Sequence, residues 1–272
     1  MRTETPAIAL TIAGSDPSGG AGIQADLKTF SALGVYGAAV LTALTAQNTT
    51  GVSGVLSIPP GFIVSQFRAV VSDLAVAAIK TGMLGDAETV ETVAAELTQV
   101  PQIPVVVDPV MVATSGDVLL RPDAIELVRT ALIPRASLIT PNLPEAGRLL
   151  DRAEADTEQE MRLQAEALMA LGCGAVLLKG GHASGADVVD ILFDGQTHLE
   201  FRRPRIKTSN THGTGCTLSA AIAAGLAKGL NIQESIALAK DFVWSALSSG
   251  SHMSVGKGVN GPIDHNFALR KS

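Results

Sequence analysis

Short apolar runs alternate with longer amphipathic stretches along most of the chain. Residues 8–13 predict a buried strand that stops at Gly14. A Gly/Ser-rich loop follows to Gly22, then a helix over 23–33 closed by Gly34. Residues 38–46 are apolar and rich in β-formers. The spacing predicts a helix over 60–71, a strand over 77–81 and a helix over 88–100. A β-branched run at 105–108 is stopped by Pro109, a helix is predicted over 123–132, and a short strand over 138–140 precedes Pro141. Further on come a helix over 158–171, a strand over 175–179, and a hairpin of 188–193 with 198–203 joined through Asp194-Gly195. Two helices, 217–230 and 232–248, complete the pattern.

Repeated strand-then-helix units with continuously apolar strands predict an α/β fold, its mostly parallel sheet covered on both faces. No linker or composition shift divides the 272 residues, so one domain is expected. In such sheets ligands sit beyond the carboxyl ends of the strands. Several polar or Gly-rich segments fall there: Gly14-Ser15-Asp16, Thr81-Gly82-Met83, Asp108-Pro109, Pro141-Asn142 and Lys179-Gly180-Gly181.

Composition narrows the function class. Net charge is -6 and aromatic residues are 3% of the chain, with no basic block. A nucleic-acid surface needs clustered cations, and a single-strand binder also needs stacking rings. Neither is present. Cys173 and Cys216 are too few and too far apart for a disulfide scaffold, and a reduced, cytoplasmic protein is expected. No secretory leader or membrane span is expected either.

The most informative segment is Thr211-His212-Gly213-Thr214-Gly215-Cys216, directly ahead of a predicted helix. Two glycines let the backbone approach a ligand, and a helix start presents unpaired N–H groups with a positive dipole end. Together they suit a phosphoryl group in transfer. A simple Gly turn is the bland alternative. Cys216 at the mouth of this helix is expected to have a lowered pKa and to help take a proton from an attacking hydroxyl, or else to be a small buried hydrophobe. Lys179 before two glycines suits a phosphate tail, or is a surface lysine at a turn, and His182 is expected to cap or hydrogen-bond locally. Asn142 and Glu145, three apart, fit Mg2+ ligation, a helix capping box, or both. Asp108 at a buried strand end suits a metal or phosphate network, or an Asx turn. Gly20 to Ala25 matches G-x-G-x-x-A, but no acidic residue lies about 20 positions on, which argues against dinucleotide binding. No Walker motif is present.

Taken in order, seven blocks resemble the hydroxymethylpyrimidine/phosphomethylpyrimidine kinases of thiamine biosynthesis, within the ribokinase-like superfamily. They are residues 10–26, 45–49, 80–84, 107–111, 139–145, 178–182 and 210–219. The resemblance implies a ribokinase-like three-layer α/β/α sandwich, ATP as donor with Mg2+, a homodimer, and two successive phosphorylations, of the hydroxymethyl group and then of the resulting phosphate. It implies that Gln47 reads the pyrimidine edge and that Gly14, Ala21, Asp26, Met83 and Val110 line the same slot. Asp108, Asn142 and Glu145 match metal positions, largely through water. Lys179 and Thr211 match nucleotide-phosphate positions. Gly213, Thr214, Gly215 and Cys216 match the anion hole and catalytic position, where many ribokinase relatives carry Asp in place of Cys216. Pyridoxal kinases are the near alternative, some with a second Cys in a mobile lid. A non-catalytic vitamin-binding protein is the distant one.

Overall fold

The computed structural model describes residues 5–112, 116, 119–181 and 185–270. His182, read above as a local hydrogen-bonding residue, lies outside them. The strands are β1 (Ile8–Ser15), β2 (Tyr36–Asn48), β3 (Gly51–Ser57), β4 (Ala78–Thr81), β5 (Val105–Val107), β6 (Leu138–Ile139), β7 (Val176–Lys179), β8 (Asp187–Phe193) and β9 (His198–Pro204). They form one sheet in the order β3-β2-β1-β4-β5-β6-β7-β8-β9. The six consecutive strands β2-β1-β4-β5-β6-β7 pair in parallel. β3 joins β2, and β8 and β9 extend β7, in antiparallel register.

The helices are α1 (Gly22–Ala32), α2 (Pro60–Asp73), α3 (Ala87–Leu97), α4 (Ile125–Leu127), α5 (Leu143–Leu150), α6 (Glu158–Met169), α7 (Thr214–Ala227) and α8 (Ile232–Gly250). Alternation along the strands sends side chains to two cores. Ile8, Leu10, Ile12, Val105, Val107, Val176 and Leu178 pack with α2, α3, α5 and α6. Ala9, Val106, Leu138 and Leu177 pack with α1, α7 and α8 on the other face. α7 is buried nearly all round, from Thr217 to Gly225. Its alanines let it lie close to the sheet, and at Gly225 a methyl group would stand 2.7 Å from Ser235 Oγ of α8.

Three elements differ from the sequence pattern. The predicted strand over 38–46 extends to Asn48 and folds back as β3, whose exposed face and two glycines weaken its periodicity. The predicted helix over 123–132 is a succession of short helical turns, Pro122–Ala124, Ile125–Leu127, Val128–Leu132 and Ile133–Arg135, with a prolyl ring at residue 134 that cannot continue an α-helical ladder. α7 begins at Thr214, three residues earlier than predicted, so Gly215 and Cys216 lie inside its first turn.

Candidate active site

The carboxyl ends of β1, β4, β5, β6 and β7 open onto one cavity of about 820 Å3. Gly14, Ala21, Gln47, Met83 and Val110 line it, together with Asp108, Asn142, Glu145, Lys179 and the chain from Thr211 to Cys216. Segments more than 160 residues apart in sequence, such as Gln47 and Gly213, therefore share one chamber.

At one end, Thr45 and Gln47 project from the same side of β2. The ladder between β2 and β3 shifts register at Ala46/Gln47, and such irregularities re-aim side chains near sites. The Thr45 hydroxyl lies 2.8 Å from Ser15 O and 3.2 Å from Gln47 Oε1, and its one hydrogen serves one or the other of these acceptors. Met83 lies so close over Gly14 that a Cβ there would meet Met83 Cε at 2.4 Å. Asp26 is the one expected pocket residue that the cavity wall does not include. It is fully buried behind the wall, where Lys80 Nζ donates to its two oxygens at 3.0 and 2.8 Å and the Thr11 hydroxyl donates at 2.6 Å. A carboxylate with no access to water takes a cation from its own protein in preference to an outside ligand.

Asp16, which the sequence marked only as part of a polar strand-end segment, holds the Gly-rich loop. Its oxygens accept from the amides of Ser18, Gly20 and Ala21 and lie 2.9 Å from His212 Nε2. Burial opposes its ionisation, but the bonds from His212, Ser18 and Ala21 hold its carboxyl well below the usual range. Gly213 has φ of +85°, and a Cβ there would stand 1.8 Å from Gly20 O. Thus the loop after β1 and the start of α7 are locked together. Local turn formation is the signal that could have found Asp16, since its Oδ1 takes the amide two residues on.

α3, α5, α6 and α8 each close their first turn with a side-chain cap. α7 has none. Thr214 N–H bonds to Thr211 O and Thr217 N–H to Gly213 O, while among the described residues the N–H groups of Gly215 and Cys216 have no backbone acceptor. Both residues line the cavity, at the positive end of a 14-residue helix. A Cβ on Gly215 would lie 3.5 Å from Lys179 Nζ and 3.8 Å from Asp108 Oδ2.

Lys179 Nζ donates to Asp108 Oδ1 at 3.0 Å, and the hydroxyls of Thr140 and Ser219 donate to Asp108 at 3.1 and 3.2 Å. Burial alone would raise the Asp108 pKa, but the charges of Lys179 and Lys80 outweigh it and hold the carboxyl below its ordinary value. Glu145 goes the other way. Burial, reinforced by the charge on Asp108, pushes it up to about 7 against the attraction of Lys179. Asn142 Oδ1 accepts from Glu145 N–H at 2.8 Å, and Glu145 Oε2 accepts from Asn142 N–H at 2.8 Å. The capping box is therefore real, and the amide oxygen of Asn142 is committed to it.

Of the two readings of Cys216, an acidified thiol at the helix mouth or a small buried hydrophobe, the electrostatics favour the second: burial pushes the thiol up to about 11, despite Lys80 and a bond from the Gly22 amide. The group is a thiol, not a thiolate, at neutral pH. Cys173 is buried before β7 and does not line the cavity, so it is no lid cysteine.

The family profile described as phosphomethylpyrimidine kinase matches residues 16–264. The chain belongs to this family. Alignment of the kinase with the hydroxymethylpyrimidine/phosphomethylpyrimidine kinase of Rhizobium meliloti (strain 1021) gives 54% identity over 259 residues, 95% of this chain and 97% of that one. Its fold matches a Bacillus subtilis pyridoxal kinase solved as an ADP complex, with TM-score 0.89 and 39% identity over 98% of this chain and all of that one. A phosphomethylpyrimidine kinase from Clostridium difficile matches with TM-score 0.79 and 42% identity over 88% and 99% of the two chains. The ribokinase-like α/β architecture expected from the sequence is thus found. Among the described residues no helix is long and apolar enough to cross a membrane.

Proposed function

We propose that the kinase transfers the γ-phosphoryl group of ATP to the hydroxymethyl group of 4-amino-5-hydroxymethyl-2-methylpyrimidine, and then a second one to the monophosphate. The observation that carries this is the single cavity holding Gln47 and the open amides of Gly215 and Cys216. Gln47 offers a donor and an acceptor to an aminopyrimidine edge. Gly14, Ala21, Met83 and Val110 form the apolar slot beside it. Lys179 and Thr211 lie on the nucleotide side, and the α7 amides receive the charge of the migrating phosphoryl group.

Such transfer passes through a loose transition state and depends mainly on positioning and charge stabilisation. A protonated Cys216 is compatible with that, because little base strength is needed and the incoming phosphoryl oxygens can take the hydroxyl proton. The monophosphate, as nucleophile in the second step, carries its own charge.

Among the described residues no cluster of three or more His, Cys, Asp and Glu could cage a metal. Mg2+ rarely needs one, since it keeps several waters and substrate phosphates. Burial first, and the charge on Asp108 after it, hold the Glu145 proton high, and a divalent cation beside these two carboxylates would relieve both. Asp108 and Glu145 would hold it, largely through water, with Asn142 as cap. When bound, Mg2+ would neutralise charge on the nucleotide phosphates. A homodimer in the cytoplasm remains part of the reading by resemblance.

The test is a rate comparison with ATP and purified protein for the hydroxymethylpyrimidine, its monophosphate and pyridoxal. The two pyrimidines are expected to be the better substrates. A wide advantage for pyridoxal overturns the assignment, and no ATP consumption with any of them favours a binding protein.

A further inference from the structure

The nucleotide side of the cavity contains a second buried ion pair that the proposed chemistry does not use. Asp190 of β8 stands opposite Lys179 of β7 in the antiparallel register. Its Oδ2 accepts from Lys240 Nζ of α8 at 2.7 Å, and its Oδ1 accepts from the backbone N–H of Gly180 at 3.0 Å. The carboxylate is 3% exposed and Lys240 7% exposed, and both border the cavity.

Gly180 is itself confined. A Cβ there would lie 2.1 Å from Val189 O, so the strand end passes against the β8 backbone with no slack. The chain just after Lys179 is therefore pinned by steric contact on one side and by the Asp190 carboxylate on the other. Lys240 fastens that carboxylate to α8, the helix whose Val243, Trp244 and Leu247 line the same cavity.

A buried ion pair is weak grounds for stability, since desolvation offsets most of its attraction. This one has a further role, because one of its oxygens is spent on a backbone amide beside the phosphate-side lysine. We infer that Asp190 and Lys240 form a positioning pair for the nucleotide. They hold the 179–181 turn in register with α8, so that Lys179 and the apolar end of the cavity engage one ATP molecule together. The inference rests on the kinase reading above and adds to it two residues that act through Gly180.

Two neutral double variants separate this role from simple packing. Asp190→Asn with Lys240→Met keeps an acceptor for Gly180 N–H, whereas Asp190→Leu with Lys240→Met removes it. Steady-state kinetics with ATP and the hydroxymethylpyrimidine read the difference. Loss of the tie to α8 is expected to raise the KM for ATP about threefold in the Asn/Met variant relative to wild type, and an unchanged value overturns the part given to Lys240. Loss of the backbone hydrogen bond as well is expected to raise it about tenfold further in the Leu/Met variant. The KM for the pyrimidine is expected to stay within about twofold, by the same comparison of contacts kept and lost. Equal KM values for ATP in the two variants overturn the inference, as does a parallel rise in both KM values. If the Leu/Met protein does not fold, Asp190→Glu serves instead: it keeps the charge pair and displaces the acceptor, and an unchanged KM for ATP overturns the inference. Wild-type protein that fails to bind a non-hydrolysable ATP analogue in calorimetry overturns the kinase reading itself, which distinguishes the two failures.

Discussion

Lys80, the penultimate residue of β4, and Lys179, the last of β7, each close onto an aspartate, at 2.8 Å to Asp26 and 3.0 Å to Asp108. The first pair is sealed, with both side chains 0% exposed. The second borders the cavity, with Lys179 12% exposed and Asp108 2% exposed. Burial would drive the proton off either lysine, but the paired carboxylate outweighs it and raises both pKa values. Both lysines are therefore charged. What separates them is access: Lys179 can redirect its donors to an incoming phosphate, and Lys80 cannot. The same residue pair thus serves the scaffold in one place and the chemistry in the other, according to the wall of the cavity.

Breaking the sealed pair should give the largest effect. Lys80→Met leaves Asp26 as a lone buried carboxylate, and a loss of about 3–5 kcal/mol is expected in denaturant unfolding. Replacing both partners, Lys80→Met with Asp26→Leu, should recover most of it, because apolar packing matches a buried pair. A double variant as unstable as the single one would break the comparison. Lys179→Met should instead lower kcat by about 10²–10³-fold, the scale of losing one charge-stabilising donor. It should cost only about 1–2 kcal/mol of stability, as Asp108 keeps two hydroxyl donors.

Smaller effects sharpen the electrostatics. Glu145 in the folded protein sits at about 7, above its unfolded value of 4.5. The folded state then binds more protons between those limits, so Glu145 makes metal-free protein lose stability as pH rises from 4.5 to 7. His265 has the opposite sign. Burial lowers it from 6.5 to about 4, with the Thr217 hydroxyl at 2.8 Å, so its contribution is full above 6.5 and is lost as pH falls toward 4. Thermal melts in chelator should show these slopes partly cancelling in the wild type. Glu145→Gln should leave a melting temperature that climbs from pH 4 to 6.5. The smallest expected effect concerns Cys216, whose alkylation rate should keep rising with pH beyond 9. A plateau near pH 7 would restore it as a thiolate base.

Much of the site was legible because backbone freedom and charge leave marks in sequence. Gly213 stands where a side chain would strike Gly20, and Asn142 with Glu145 spells out a capping box. Other features depend on partners that spacing does not reveal. Asp26 was placed in the pocket by resemblance, and spacing gives no hint of its bond to Lys80, 54 residues away. A lysine inside the apolar run of β4 was the available sign, since such a charge is seldom fully buried unless paired. For Cys216 helix position points to acidification and residue type to a buried hydrophobe, and the balance is set by tertiary packing that spacing does not reveal. β3 was missed since a strand with an exposed face and two glycines has little periodicity to read.

The central claim is that one chamber holds the ring reader and the open amides of α7 close enough for direct transfer. A crystal structure with the hydroxymethylpyrimidine and a non-hydrolysable ATP analogue tests it. The expected result is a hydroxymethyl oxygen about 3–3.5 Å from the γ-phosphorus, a reactive approach distance, with Gln47 on the ring and Gly215 and Cys216 N–H groups directed at the γ-phosphate. A pyrimidine bound away from Gln47, or a γ-phosphate seated beyond reach of those amides, would contradict it.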